Sequence, residues 1–348
     1  MGAKKQKVAF ITGVTGQDGA HLAKYLLWND YRVYGGYRKG GVNKLWRLNH
    51  LGILNQIELI DFQLNEAQLI IEILSNIRPD EIYHLAAESF VADSFKHPLV
   101  SIKGNVHGTV VLLDAIRMTT PNSKVFIASS SEIFGFSDGV DLLNESSSRK
   151  PLNPYAISKV TVDHFANLYR EAYGLNCHVG ILFNHEGPLR ARQFVTRKIS
   201  YNSARLKLIG GLPVELGSFS SFRDWGAAVD YVKAMHLMLE NNTGDCVVAT
   251  GVLHSVRELL YVAFAASGFT PIFEGEEQNE ICIDKPSGQI LAKVSDKYYR
   301  PFDTPSLCGD ASKLKELTGW NVETTFENMI TDMVHVDLAR RKDGLIDV

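Results

Sequence analysis

The sequence predicts an α/β protein built as a doubly wound parallel sheet with a second, smaller mixed α/β lobe. Three observations carry this. Short apolar runs alternate with helix-like stretches from Val8 to Phe183, the pattern of repeated β-α units. The first apolar run empties into a glycine-rich turn that opens a helix. Beyond Asn184 the alternation breaks down, and Gly210-Gly211-Leu212-Pro213 and Pro286-Ser287-Gly288 punctuate loops.

Val8 to Thr12 reads as a buried strand. Gly13-Val14-Thr15-Gly16-Gln17-Asp18-Gly19 follows, then a helix from His21 to Trp28. A strand, a glycine turn and a helix N-terminus form a pyrophosphate site. Backbone N–H groups point outward, the helix dipole favours anions, and missing Cβ atoms let phosphate approach. The second strand, Arg32 to Tyr37, ends at Arg38-Lys39-Gly40-Gly41. NAD sites usually place an acidic residue here for the ribose 2′-hydroxyl, whereas Arg38 and Lys39 suit a 2′-phosphate, so NADP is expected.

A third strand is expected over 57–62, followed by Gln63, Leu64 and a helix from Glu66 to Ser75. The next strand, Glu81 to Leu85, ends in Ala86-Ala87-Glu88-Ser89, where small residues let a flat cofactor lie near the backbone. A helix from Asn105 through Arg117 precedes strand Lys124 to Ala128, which runs into Ser129-Ser130-Ser131-Glu132. Ligands of such sheets bind beyond the carboxyl ends of the strands. Ser130 and Glu132 therefore belong at that edge, in a Rossmann-type domain over 1–183. Segment 220–250 is expected to return to it, leaving a mainly substrate-binding domain in 184–348. Gly309-Asp310 to Trp320 reads as a capping loop, and Phe326 to Arg341 as an amphipathic helix.

The stretch with most chemistry is Asn153-Pro154-Tyr155-Ala156-Ile157-Ser158-Lys159. Asn153 suits a helix N-cap and Pro154 the first helical position. Tyr155 and Lys159 are then four apart on one helical face. An ammonium near a phenol stabilises the phenolate, making a base usable near neutral pH. Oxidation of a hydroxyl to a ketone needs such a group.

Composition narrows the function classes. The formal net charge is −3, so no global basic field holds nucleic acid, and an anionic ligand must meet local cations and helix ends. Cys177, Cys246, Cys282 and Cys308 form no C-x-x-C pair, which argues against a zinc site and fits a reducing compartment. No uninterrupted apolar run reaches membrane-span length, and the first residues read neither as a secretory signal nor as a myristoylation motif. No metal, no nucleic acid, no membrane and a cytoplasmic location are the expectations.

These residues together resemble the extended short-chain dehydrogenase/reductase family. The marks are Gly13, Gly16 and Gly19, the Leu85-Ala86-Ala87 strand end, Asn105, and Tyr155 with Lys159. Longer blocks resemble its GDP-sugar 4,6-dehydratase branch. They are Ile11 to Gly19, Gly180-Ile181-Leu182-Phe183-Asn184-His185-Glu186, Phe194-Val195-Thr196-Arg197-Lys198-Ile199, Arg223-Asp224-Trp225-Gly226, Asp230-Tyr231-Val232, Ala249-Thr250-Gly251-Val252 and Tyr299-Arg300-Pro301. The resemblance covers nearly the whole chain.

It implies that Tyr155 takes the sugar C4 hydroxyl proton, that Lys159 holds the ribose and lowers the tyrosine pKa, that Ser130 bonds the C4 oxygen, and that Glu132 handles the C5 proton and the leaving C6 hydroxyl. It implies cofactor contacts from Gly13, Thr15, Gly16, Gln17, Asp18, Gly19, Arg38, Lys39, Gln63, Leu64, Leu85, Ala86, Ala87, Glu88, Tyr155, Lys159, His185 and Arg190. The implied substrate contacts are Ser89, Ser130, Glu132, Asn184, Lys198, Leu216, Gly217, Arg223, Arg300 and Asp303. Three positions depart from the pattern: relatives usually have threonine at Ser130, Arg-Arg where Arg38-Lys39 stands, and often aspartate at Gln63. A GDP-sugar partner and a homodimer or homotetramer are implied, the sugar being mannose or a manno-configured heptose. A C4 epimerase or reductase on the same scaffold would share Tyr155 and Lys159 but not need Glu132. A silent NADP-binding scaffold would have no use for all four reactive groups.

Overall fold

The computed structural model describes residues 5–40, 45–136, 142–298 and 306–344. Their strands are β1 (Val8–Thr12), β2 (Arg32–Tyr37), β3 (Glu58–Asp61), β4 (Glu81–His84), β5 (Lys124–Ala128), β6 (Asn176–Leu182), β7 (Asn184–Glu186), β8 (Val214–Leu216), β9 (Phe222–Ala227), β10 (Cys246–Val248), β11 (Leu253–Ser255), β12 (Pro271–Glu274), β13 (Ile281–Asp284) and β14 (Ile290–Val294). The chain divides into two compact units, Met1–Phe183 with Ala228–Ala249 and Gly309–Asn321, and Asn184–Ala227 with Thr250–Cys308 and Val322–Val348.

The first unit holds a seven-stranded sheet in the order β10-β6-β5-β4-β1-β2-β3, with every pairing parallel. The chain winds outward from β1 through β2 to β3, then restarts beside β1 with β4 and winds the other way. The switch lies between β1 and β4, where a crevice opens beyond the strand ends in folds of this kind. Both faces are covered by helices, so the strands are almost continuously apolar: Ala9, Phe10, Ile11, Ile82, Tyr83, Val125, Phe126 and Ile127 are buried.

Four stretches differ from the sequence pattern. The first helix starts at Gln17 rather than His21, because Gly16 already occupies the cap position. The helix before β5 starts at Pro98 rather than Asn105. It passes through a wide π-helical stretch, Ile102–His107, before continuing as Gly108–Thr119. Lys103, Asn105 and His107 break the apolar periodicity there and hide its first half. The whole span Pro98–Thr119 is long and apolar enough by length and composition to cross a membrane. Here its buried residues include Leu112, Leu113, Ala115 and Ile116. The segment that returns to the first unit is 228–249, shorter than 220–250. Residues 222–227 stay with the second unit because β9 is paired there on both sides, to β7 and β11. Segment 309–321 joins the first unit instead. Gly309 bridges Leu143, and the Trp320 indole N–H donates to the Asp230 carbonyl at 2.9 Å.

The second unit holds a three-stranded sheet, β11-β9-β7, and a four-stranded mixed sheet, β12-β13-β14-β8. The helices Val195–Ile209, Val256–Ala266 and Phe326–Lys342 close over a core that includes Ile199, Leu206, Trp225, Leu259, Phe264 and Ile330. Trp225 stacks on Phe326 with ring centroids 5.9 Å apart. Inside this core the Arg197 guanidinium pairs with Asp337, both side chains 1% exposed, and Ser200 Oγ donates to the same carboxylate at 2.9 Å. A buried charge left without its partner is strongly unfavourable. Asp337→Ala is expected to destabilise by about 3–5 kcal/mol in urea unfolding, and replacing both partners by apolar residues should recover most of that loss.

Candidate active site

The glycine turn packs against the end of β4 at van der Waals limits. Gly13 has φ +75°, and a Cβ there would lie 3.0 Å from the Ala86 backbone; one on Gly19 would lie 2.4 Å from the Gly13 carbonyl oxygen. Both positions therefore exclude larger residues. Gly16 N–H donates to Gly13 O at 2.9 Å, and Gly16 caps the helix Gln17–Trp28 without a side chain. Such a turn, set at the sheet's switch point, fits a dinucleotide pyrophosphate. Arg47, which the sequence did not single out, donates from Nη1 to the Thr15 carbonyl at 3.1 Å. Its short helix, Trp46–His50, gave no signal distinguishable from a loop.

A buried hydrogen-bond chain fixes the end of β4. Thr109 Oγ1 donates to Asn105 O at 2.5 Å, so it accepts from His84 Nε2, 2.9 Å away. His84 Nδ1 is then the acceptor for the Thr12 hydroxyl at 2.8 Å. Thr12 Oγ1 in turn accepts from the backbone N–H groups of Leu85 and Ala86. Burial holds His84 neutral, its pKa pushed down to about 3, which this proton arrangement requires. The Asn105 side chain accepts from Glu88 N–H at 2.9 Å and donates to Ser158 Oγ, also at 2.9 Å. Ser158 donates to the Tyr155 carbonyl at 2.6 Å.

The helix Pro154–Tyr173 begins as its sequence dictates, with Asn153 Oδ1 accepting the Ala156 N–H at 2.8 Å and Pro154 in the first turn. Tyr155 and Lys159 are both buried, and Lys159 Nζ lies 5.8 Å from the Tyr155 ring centroid. Lys159 donates to the Ala128 carbonyl at 2.6 Å. Burial pulls its pKa down to about 8, against the opposing pull of Asp163. Asp163 lies one turn further along. Its Oδ2 accepts from Ser129 Oγ at 2.8 Å, its Oδ1 is buried without a hydrogen-bond partner, and desolvation pushes its pKa up to about 7. Ser130 Oγ accepts from the Glu132 N–H at 3.3 Å, and Glu132 Oε2 accepts from Asn153 Nδ2 at 2.9 Å. Ser130, Glu132, Tyr155 and Lys159 thus belong to one connected group at the end of β5.

Other candidates sit as follows. Arg38 pairs with Glu88 at 3.2 Å, both partners well exposed, and Lys39 N–H donates to Asp61 at 3.2 Å. Gln63 and Ser89 are exposed, while Leu64 lies against Gly108. In the second unit, Asn184 and His185 lie on β7 beside Trp225 and Gly226. Arg190 pairs with Glu186 at 3.0 Å and stacks over the Phe194 ring. Lys198 donates to the Glu215 carbonyl at 2.6 Å and lies 4.1 Å from the Tyr298 ring centroid. Leu216 ends β8, followed by Gly217. Arg223 donates to Phe222 O at 2.6 Å. Its neighbour Asp224, fully buried, takes three hydrogen bonds from Thr250 and Gly251, which joins two of the sequence blocks into one structural feature. Arg300 and Asp303, and the Tyr299-Arg300-Pro301 block, lie outside the described residues. Among the described residues no group of three or more His, Cys, Asp or Glu side chains could hold a metal ion.

The family model described as GDP-mannose 4,6 dehydratase matches residues 10–333. The chain belongs to the GDP-mannose 4,6 dehydratase family. The GDP-mannose 4,6 dehydratase 2 of Caenorhabditis elegans is 38% identical, over 97% of this chain and 90% of that one. The GDP-mannose 4,6-dehydratase of Sinorhizobium fredii is 37% identical, over 96% and 97%, and the Homo sapiens enzyme 37%, over 96% and 92%. Among solved structures, a dTDP-glucose 4,6-dehydratase from Streptomyces venezuelae superposes with a TM-score of 0.80 at 22% identity, over 97% and 98%. A UDP-glucose 4-epimerase from Thermus thermophilus gives 0.79 at 23%, over 95% and 98%. These two show the shared fold.

The carboxyl of Asp163 has its pKa raised on folding, from 3.8 to about 7. Folding therefore favours its protonated form, and that contribution is full below 3.8 and lost as pH rises through 7. Asp163→Asn should gain on the parent between pH 4 and 7, by up to about 4 kcal/mol at the plateau. Urea unfolding of both proteins at pH 5, 6, 7 and 8 reads this, and a pH-independent difference would contradict it.

Proposed function

We propose that the chain is a GDP-sugar 4,6-dehydratase, a hydro-lyase that converts a GDP-mannose-type sugar to its 4-keto-6-deoxy form. Family membership across the chain supports this, and one observation carries it further: the carboxylate of Glu132 is tied to the N-cap of the helix bearing Tyr155 and Lys159. An epimerase or reductase needs the tyrosine and lysine but has no task for that carboxylate.

Gly13, Gly16 and Gly19 would hold the pyrophosphate of a nicotinamide dinucleotide, Ala86 and Ala87 its flat rings, and Lys159 its ribose. The remaining contacts assigned to cofactor and substrate rest on the resemblance. Arg38 and Lys39 favour the form with a 2′-phosphate, NADP. When bound, the nicotinamide supplies a hydride acceptor at C4 that is also the donor to C6. Tyr155 takes the C4 hydroxyl proton, and the Lys159 ammonium stabilises the phenolate that must accept it. Ser130 accepts from the Glu132 N–H, which leaves its own proton to donate to the C4 oxygen. The resulting ketone acidifies C5–H. Glu132 removes that proton, and a proton is delivered to the C6 hydroxyl as it leaves as water. With C5 reprotonated and hydride returned to C6, the net change is loss of one water. By the resemblance, Lys198 and Arg223 would meet the diphosphate.

The decisive test is incubation with GDP-mannose and GDP-manno-heptose, each with NADP⁺ and NAD⁺, read by mass for loss of one water. Glu132→Gln should retain C4 oxidation and lose dehydration, by a factor of about 10² or more. Unimpaired dehydration would remove Glu132 from the chemistry, and faster turnover with NAD⁺ would reverse the cofactor assignment.

We also propose a homo-oligomer. Ile157 and Leu168 lie on the outer side of the helix Pro154–Tyr173, and Phe95, Leu99, Val100 and Ile102 on the neighbouring helical segments are exposed as well. Apolar residues gathered on one unit in this way mark an interaction face. Leu99→Glu with Ile157→Lys should shift the mass found by light scattering toward the monomer.

A further inference from the structure

We propose that Asn153 is a positioning residue for Glu132, one that fixes which carboxylate oxygen meets the substrate; this rests on the dehydratase reading above. Asn153 is 4% exposed and both ends of its amide are committed. Oδ1 accepts the Ala156 N–H at 2.8 Å, the N-cap bond of the helix Pro154–Tyr173. Nδ2 donates to Glu132 Oε2 at 2.9 Å. The orientation is forced by chemistry. Turned over, the amide would set its NH₂ against an N–H and its oxygen against a carboxylate, two repulsions in place of two bonds.

The consequence for Glu132 is specific. Oε2 carries the Asn153 bond, so Oε1, with both lone pairs open, is the more basic oxygen for proton transfer. Main-chain placement comes from the same locality: Glu132 N–H is held by Ser130 Oγ, and the Lys150 N–H donates to Ile133 O at 3.0 Å. The carboxylate is thereby referenced to the start of the helix that carries Tyr155, two residues beyond Asn153. The two proton-transfer groups share one anchor. Serine or aspartate would cap this helix equally well. Neither has a donor on a second atom apart from the capping oxygen, as the asparagine amide does, so the choice of asparagine is accounted for by its second bond.

The test separates capping from positioning. Asn153→Ser keeps an oxygen for the Ala156 N–H and loses the separate amide N–H that reaches Glu132, leaving one short hydroxyl in place of two groups. Asn153→Asp keeps the cap and sets a carboxylate against a carboxylate. Holoenzyme is mixed with GDP-mannose in a single turnover. The sugar is resolved by mass into the ketone that retains its C6 hydroxyl and the product lacking one water. In N153S the first should form at the parental rate and the second should slow by about tenfold or more, so that the ketone accumulates; N153D should be slower still. The melting temperature of unliganded N153S should stay within about 3 °C of the parent.

A merely structural role would loosen the helix start and slow both steps, because Tyr155 moves with it. Equal slowing of both steps, or of neither, overturns the proposal. In a Glu132→Gln background, N153S should add no further slowing, and an additive loss also overturns it. If the parent itself releases no dehydrated sugar, the functional reading fails and takes this inference with it. If the parent dehydrates and N153S partitions as the parent does, only this inference fails.

Discussion

The group proposed as reactive depends on two hydrogen bonds that clamp the helix Pro154–Tyr173 to the end of β5. Lys159 Nζ donates to the Ala128 carbonyl, and Ser129 Oγ donates to Asp163. Between them they fix the residues on either side of the strand's last carbonyl, and Ser130 and Glu132 follow directly. The helix can therefore not slide along its axis without breaking a buried charged hydrogen bond, the kind whose loss is most costly. The geometry of four side chains from two elements reduces to the rigidity of this one contact.

The clamp also sets the electrostatics. Lys159 has no carboxylate within its hydrogen bonds; its acceptor is a neutral carbonyl. Burial alone would drive it toward the free amine, and Asp163 one turn away pulls in the opposite direction. Asp163 is itself raised by burial. Burial disfavours both charges, and each charge favours the other across one helical turn. Perturbed groups of this kind concentrate at working sites. On the other side of the crevice the opposite solution appears. His84 is held neutral so that one unbroken run of donors and acceptors reaches from Asn105 to the N–H groups of Leu85 and Ala86.

Much of this was legible in the residues. The parallel strands are marked by continuous apolar runs such as Ala9-Phe10-Ile11, and the glycine turn by spacing that only close backbone contact explains. Asn153 and Pro154 announced the helix start. What escaped was of two kinds. The helical stretch from Pro98 was hidden because its buried face carries Ser101, Asn105 and Thr109, the last two satisfied by a network that no periodicity reveals. The return of 228–249 was expected with wider bounds, but that of 309–321 was not, because it depends on tertiary pairing, such as Leu143 with Gly309, between residues far apart in sequence. The sequence blocks around Arg223 and Thr250 were visible separately, but only Asp224, whose carboxylate takes N–H groups from the second block, says why they occur together.

The departures from the family pattern can be weighed by the same geometry. Serine at 130 loses a methyl group that would restrict its rotamers. Here the hydroxyl oxygen is held by the Glu132 N–H, and Glu132 is held in turn by Asn153. The restraint that a methyl would supply by sterics is supplied by a bonded sequence from the helix cap to the carboxylate to the serine. Lysine at 39 lacks the bidentate fork of an arginine, while Arg38 keeps one, paired with Glu88 at an exposed contact. Exposed pairs of that kind hold weakly, so the proposed 2′-phosphate would compete for the guanidinium at little cost. Of the three departures, Ser130 sits among fixed hydrogen bonds, whereas Lys39 and Gln63 are exposed.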